Sequence, residues 1–420
     1  MNIIKTYYAT HFIIVYMFLM TRISKWIYEP LYPLILNKYY NYSEQTISYS
    51  WSFYLLTFSI VGIYISIKME NKLNYVKWLI YSTIGIFLSI FISALIVYYD
   101  LPKILFILMR SIEGGFTAIP YILYSFMIKA TLKDNSKNGT INSFNESLML
   151  MARGIIPIIM SAFLIISGFE IFGYFLSAFM FLSLVLFLIY NKKKILFKYQ
   201  KLFILNQGKQ SQKNFFTTLK DIKNNFNKDY LIQKTHYIIL LVVTNLPRPF
   251  YNLYMLFLLT NTYGMTITKA ISISTFMLFG MASTALSGFI VDRVPLFYYR
   301  IVGIFLYTMP LILIISYPNS LQGDIYPYLI FYLFGLGRSF DSNYDYKLQM
   351  KLINNGVKIN HINLLHSSVS EISRYVSYLI SSIMITIGFT VGDIFIFPYI
   401  MVGIMILMVL SYDFKYLRKY

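Results

Sequence analysis

Arg110-Ser111-Ile112-Glu113-Gly114-Gly115 stands inside an otherwise apolar run over about 102–129, and Arg338-Ser339-Phe340-Asp341 stands in a second run, 228 residues later. In both, a guanidinium and a carboxylate three residues apart share one helix face. A charge at mid-bilayer costs at least about 2.5–3.5 kcal/mol on insertion scales, so charges kept there face a polar interior and have work to do. Working outward, more of the chain repeats. His11-Phe12-Ile13-Ile14 returns as His236-Tyr237-Ile238-Ile239 at offset 225, and Arg22 and Tyr28 return as Arg248 and Tyr254 at offset 226. Arg153 and Gly168-Phe169 return as Arg374 and Gly388-Phe389 at offsets 221 and 220. Common order and a near-constant offset indicate two homologous halves. Such repeats are the mark of a transporter with its site at the repeat interface.

Composition agrees. Of 420 residues 57% are hydrophobic and 13% charged, against about 25% charged in soluble domains, which argues against a water-soluble enzyme. Cysteine is absent and the four histidines are scattered, so no disulfide framework or zinc cluster is expected, and no cofactor is implied. Twelve apolar windows fall at 11–36, 46–67, 75–99, 102–129, 142–167, 170–190, 236–260, 267–291, 296–316, 325–346, 364–390 and 393–413. The first carries Arg22, Lys25 and Glu29 and no small-residue cleavage site, so it reads as a retained helix. Between the sixth and seventh windows, 191–234 opens Asn191-Lys192-Lys193-Lys194 and holds eleven lysines against Asp221 and Asp229. The fold class is therefore all-α integral membrane, twelve transmembrane helices as two pseudo-symmetric six-helix bundles. The bundles are 1–190 and 235–420, joined by a basic linker at 191–234.

The formal net charge is +19, from 36 Lys+Arg and 17 Asp+Glu. Even-numbered connections with their flanking helix ends, the central segment and both termini hold 26 of the 36 basic residues, Arg293, Arg300, Lys347 and Lys351 among them. Odd-numbered connections hold Lys38, Lys103 and Lys269, and the remaining seven basic residues lie within spans. An excess of Lys and Arg marks the cytoplasmic side, placing both termini and the linker there, in a cell (plasma or inner) membrane. The basic linker is an orientation signal with attraction to anionic lipid rather than a nucleic-acid site.

Three local motifs make the chain resemble the major facilitator superfamily over essentially its full length. Gly288-Phe289-Ile290-Val291-Asp292-Arg293 after span 8 matches the family's Gly-x-x-x-Asp-Arg loop motif. Its first-half counterpart keeps Gly62 but has Ser66 and Lys68 in the acid and base region. Arg110 followed by Gly114 matches a fourth-helix motif, and Gly154-Ile155-Ile156-Pro157 is a partial fifth-helix antiporter motif, which points to export. The resemblance implies the major facilitator fold and alternating access. It implies a cavity lined by helices 1, 4, 7 and 10 with support from 2, 5, 8 and 11. It also implies gating by Gly288, Asp292 and Arg293, in which the Asp pairs with a neighbouring Arg and faces a helix N-terminus of the other half.

The seven cations within spans, Arg22, Lys25, Arg110, Arg153, Arg248, Arg338 and Arg374, sit on spans 1, 4, 5, 7, 10 and 11, and none sits on 3, 6, 9 or 12. Arg22, Lys25 and Glu29 form one helical stripe, and Arg338, Asp341 and Asp345 form another. Pairs such as Arg110 with Glu113, Arg338 with Asp341, or Glu371 with Arg374 are read either as structural locks or as site chemistry. Seven cations face four deep acids, Glu29, Glu113, Asp341 and Glu371, with Glu146 and Asp345 nearer the helix ends. That excess suits a carboxylate- or phosphate-bearing substrate, which guanidinium grips bidentately. Candidate substrate residues are Arg22, Lys25, Tyr28, Arg110, Arg248, Tyr254, Arg338 and Arg374. Candidate proton carriers are Glu113 first, then Glu29 and Asp341. Pro247-Arg248-Pro249 is expected to break span 7.

The function expected is a proton-coupled secondary transporter, a monomer in the bilayer, exporting an anionic or zwitterionic organic molecule. A carboxylate siderophore is the narrowest substrate named. Alternatives are an organic-anion importer or a broad drug efflux pump. Outside the class, a receptor or a membrane-embedded transferase using His361 or His366 fits the two-half repeat poorly.

Overall fold

The computed structural model describes residues 32–68, 75–132, 153–160, 172–206, 228–248, 250–316, 325–354 and 359–390, together with 16, 20–25, 27, 146–147, 150–151, 393, 400, 403–404 and 407. Among these residues every element is helical. The order is α1 (Tyr32–Tyr39), α2 (Glu44–Lys68), α3 (Tyr75–Tyr98), α4 (Lys103–Leu132), α5 (Phe172–Asn206) and α6 (Lys228–Asn245). After two π-helical turns, Phe250–Tyr254 and Leu258–Thr262, flanking α7 (Met255–Phe257), come α8 (Ile267–Ala282), α9 (Thr284–Val291), α10 (Leu296–Ser316) and α11 (Tyr326–Asn354). α12 (Ile359–Leu365), a π-helical turn His366–Ser370 and α13 (Glu371–Thr386) follow.

Hydrocarbon offers no partner to backbone N–H and C=O groups, so a spanning chain must satisfy them within its own helices. Five described helices are long and apolar enough to cross a membrane, at Glu44–Lys68, Tyr75–Tyr98, Lys103–Phe126, Phe172–Lys192 and Ile267–Val291. Spans 7 and 11 fall short for a physical reason: each is interrupted. Pro247 and Pro249 carry no amide hydrogen. α6 accordingly stops at Asn245, the backbone turns at Leu246 and Pro247, and helix resumes at Phe250. The expected break in span 7 is therefore present. Span 11 is interrupted by the turn at His366–Ser370. α13 ends in a left-handed Gly388 (φ +100°), with Phe389 N–H bonding to Met384 O at 3.1 Å and Gly388 N–H to Ile385 O at 3.1 Å. This is the hydrogen-bond pattern of a Schellman terminus. α5 runs unbroken past 190 to Asn206, so the Asn191–Lys194 run lies on helix.

The polarity is inverted relative to a soluble protein. Large apolar side chains such as Ile60, Tyr81, Leu186, Leu286 and Phe305 are exposed on the outside, while Ser52, Thr83, Ser89 and Ser93 are buried. The hydroxyls of Ser52, Thr83 and Ser89 donate to carbonyls one turn back, at 3.0, 2.7 and 2.7 Å, so their burial leaves no orphan donor.

The two halves pack alike. α2 and α3 both lie against α4; α8 and α10 both lie against α11. Glycine sets the closest approaches, as small residues do between membrane helices. A Cβ at Gly114 would sit 2.1 Å from the Tyr54 carbonyl oxygen, and one at Gly335 would sit 1.9 Å from that of Met277. Between halves, α2 packs against α13.

Candidate functional site

In the first half, α4 supplies Arg110 and Glu113, 0% and 1% exposed and joined by an ion pair. The Arg110 guanidinium lies 5.2, 4.9 and 4.9 Å from the ring centroids of Tyr32, Trp51 and Tyr54. Ring faces carry negative quadrupole density, so this cage suits a desolvated cation. Lys25 is buried too, donating to the Tyr54 hydroxyl with its ammonium 4.3 Å from that ring. Half-buried Arg22 places its guanidinium 4.8 Å over the Tyr121 ring on α4. Gly114, next to Glu113, is what allows α4 to close on α2 here. Tyr28 and Glu29 lie outside the described residues.

In the second half, Arg374 on α13 is held from two sides. It donates to both oxygens of Glu371, at 2.8 and 2.9 Å, and twice to the Asn245 side-chain oxygen, at 3.1 and 3.0 Å. Asn245 is itself fixed through its amide, bonded to Leu241 O at 2.7 Å, at the last residue of α6 before the proline break. Arg248, just past that break, is half-buried within reach of the charges of Arg374, Arg338, Asp341 and Glu371. Spans 7, 10 and 11 thus bring charge to one place.

Asp341 shows where sequence spacing misleads. The pairing expected within α11, Arg338 with Asp341, gives way to one between helices: Asp341 accepts from Arg300 on α10. Arg300, assigned above to a connection, is instead 3% exposed, with its guanidinium 4.7 Å over the Tyr344 ring. This corrects the statement that no buried cation sits on span 9. The cause is close helix packing. A Cβ at Gly303 would meet Phe340 Cβ at 2.7 Å, and one at Gly337 would meet Tyr307 N at 2.4 Å. The one available signal was that Arg300 stands a full turn inside the window at 296–316.

The loop-motif residues also differ from the expected neighbour pairing. Gly288 is buried on α9. Asp292 forms an ion pair with Lys347 on α11, while exposed Arg293 has its guanidinium 3.5 Å from the Phe289 ring centroid. Asn343 of α11 adds bonds to Ser287 Oγ at 2.6 Å and Thr284 O at 3.0 Å. The motif therefore ties α9 to α11 within one half.

Contacts between the halves occur at both faces of the bundle. On the face with the odd-numbered connections, Gln45 donates to Thr386 Oγ1 at 2.7 Å, Asn261 donates to Glu44, and the hydroxyls of Ser48 and Tyr254 meet at 2.5 Å. Tyr254, expected to meet substrate, is 0% exposed in this contact. On the opposite face Ser125 donates to Asn363 at 3.2 Å, Ser342 to Glu146 at 3.1 Å, and Ala285 N–H to Ser147 Oγ at 2.6 Å.

A family model, the Major Facilitator Superfamily, matches residues 14–342. No curated protein matches the sequence. Solved structures of similar fold include the proton:xylose symporter XylE, from E. coli, with TM-score 0.70, 13% identity, and 98% of this chain and 96% of that chain covered. The nucleoside transporter NupG gives TM-score 0.64 at 12% identity over 98% of this chain and 99% of that one. A bacterial homologue of the iron transporter ferroportin, in an outward-facing state, gives 0.67 at 13% over 96% and 98%. At such identities the likeness is one of fold, which here is the twelve-helix transporter architecture.

Proposed function

The chain belongs to the Major Facilitator Superfamily, and on that premise we propose that this multi-pass transporter is proton-coupled and moves an anionic or zwitterionic organic molecule. The observation that carries the reading is the charge balance of the buried polar region. Among the described residues, Arg22, Lys25 and Arg110 accompany Glu113 in the first half, and Arg248, Arg300, Arg338 and Arg374 accompany Asp341 and Glu371 in the second. In a low-dielectric interior such a surplus favours a carboxylate or phosphate and opposes a cation. The units are 1–190 and 235–420, joined by the linker at 191–234. The basic excess on the even-numbered connections sets that face, with both termini, in the cytoplasm.

Glu113 is the proposed proton carrier, and the sign of its coupling depends on the substrate. Protonating Glu113 raises the net charge of the site by one. A substrate with anionic groups alone then binds more tightly, and proton and substrate travel together. A zwitterion whose ammonium takes the Glu113 carboxylate instead competes with the proton, which produces exchange and export down an inward proton gradient. The partial motif Gly154–Pro157 favours export, with a carboxylate siderophore as the narrowest substrate. The Arg110–Glu113 pair favours the second reading, import of a simple anion by symport.

Titration of the purified protein with citrate, glutamate and tetraphenylphosphonium separates these classes. Citrate or glutamate should bind, and Arg22→Gln, Arg248→Gln or Arg338→Gln should weaken that binding about tenfold or more, with folded protein retained. Proton release on binding indicates exchange and proton uptake indicates symport. Binding of the lipophilic cation and of neither acid would reject the proposal.

A further inference from the structure

We infer that Trp51 is a positioning residue through which the charge of the Arg110–Glu113 pair controls the contact between the halves on the odd-connection face. The inference rests on the proposed proton role of Glu113. Trp51 touches both sides of the connection it would make. Its ring lies 4.9 Å from the Arg110 guanidinium. The same ring stacks on Tyr378 of α13, in the other half, at 6.2 Å and 14°. Tyr378 in turn packs at 6.1 Å from Tyr254, whose hydroxyl meets Ser48. Gln45 and Thr386, at the mouth of the same seam, lie on the same two helices, six residues before Trp51 and eight after Tyr378.

The indole is held by its faces and not by its nitrogen. Its buried N–H has no hydrogen-bond partner among the described residues, whereas buried polar groups are ordinarily bonded. Its position is therefore set by ring contacts alone, with Arg110 and the edge of Tyr54 (5.6 Å, 65°) within its own half and with Tyr378 in the other. With Glu113 ionised, Arg110 is neutralised by its carboxylate. With Glu113 neutral, the guanidinium depends more on its aromatic cage, and a desolvated cation–π contact strengthens. Trp51 is then drawn toward Arg110 and away from Tyr378, which loosens the seam. Among the described residues, the other titratable groups facing the pair are Lys25 from the first span, Tyr32 of α1, Tyr54 of α2 and Tyr174 of α5. Protonation of Glu113 removes the one negative charge among these.

The absence of cysteine makes the test direct. Spin labels at Gln45→Cys and Thr386→Cys report the seam as a distance distribution. Glu113→Gln should raise the long-distance population about five-fold or more, the low end of ordinary allosteric coupling. Lowering pH should do the same in the parent but not in Glu113→Gln. Trp51→Leu and Tyr378→Leu, approaching the stack from opposite sides, should each reduce the Glu113→Gln effect to less than about two-fold, and Trp51→Phe should preserve it. An undiminished effect in both leucine variants overturns the inference, as does no effect of Glu113→Gln with Trp51 in place. Loss of the effect in Trp51→Phe also contradicts it. Because the readout needs no flux, the relay and the transport proposal can fail separately.

Discussion

In the first half, Arg110 closes on Glu113 within α4, and both are sealed, at 0% and 1% exposure. In the second half the repeated positions behave otherwise: Asp341, 20% exposed, turns to Arg300 on the neighbouring α10. Two physical differences account for this. Aspartate is one methylene shorter than glutamate and reaches less far back along its own helix. Gly303 and Gly337 also let α10 and α11 approach until Arg300 lies beside Asp341. Repeated positions thus hold a local pair, the proposed proton carrier, in one half and a helix clamp in the other. On the proposed function, such asymmetry would let one half carry coupling while the other, through Arg248, Arg338 and Arg374, presents cationic groups to substrate.

The comparison can be broken most forcefully at Arg110. Arg110→Gln leaves Glu113 buried without its guanidinium, a cost of about 3–5 kcal/mol by analogy with broken buried pairs. Thermal melting should show a large loss, and the double variant Arg110→Gln/Glu113→Gln should recover most of it. Arg300→Gln should cost less, about 1–3 kcal/mol, because Asp341 retains some exposure; equal losses would erase the distinction between the halves. Asn245→Ala removes two bonds to Arg374 while Glu371 keeps its own. Substrate affinity should fall about tenfold, corresponding to roughly 1.4 kcal/mol, with melting temperature little changed. Lys347→Gln is expected to have the smallest effect on stability, about 0.2–1 kcal/mol for a partly exposed pair. Its signature should instead be a shift in the open population of the even-connection face, read by spin labels at Ser125→Cys and Asn363→Cys.

The fold was legible because its causes are periodic: apolar length, the basic bias of alternate connections, and repeats at offsets of 220–228. The Pro247-Arg248-Pro249 break was legible because proline acts locally. So was the Glu371–Arg374 pair, whose partners lie one turn apart on one helix. Arg300 and Asn245 were not, since each takes its role from a helix distant in sequence. Arg300 also resembled the basic residues that fix orientation, and a single substitution of Glu by Asp gave little notice that the second-half pair would redirect. Trp51 carries no local pattern at all, since its place between Arg110 and Tyr378 is made by helices distant in the sequence.

The central claim is that Glu113 carries the coupling proton of a cation-rich site shared by the two halves. It is tested most directly in proteoliposomes, with whichever of citrate or glutamate binds, by comparing gradient-driven flux in the parent and in Glu113→Gln. An imposed proton gradient should drive flux in the parent. Glu113→Gln should abolish that response while leaving substrate exchange without a gradient intact. Gradient-driven flux that persists undiminished in Glu113→Gln would contradict the account.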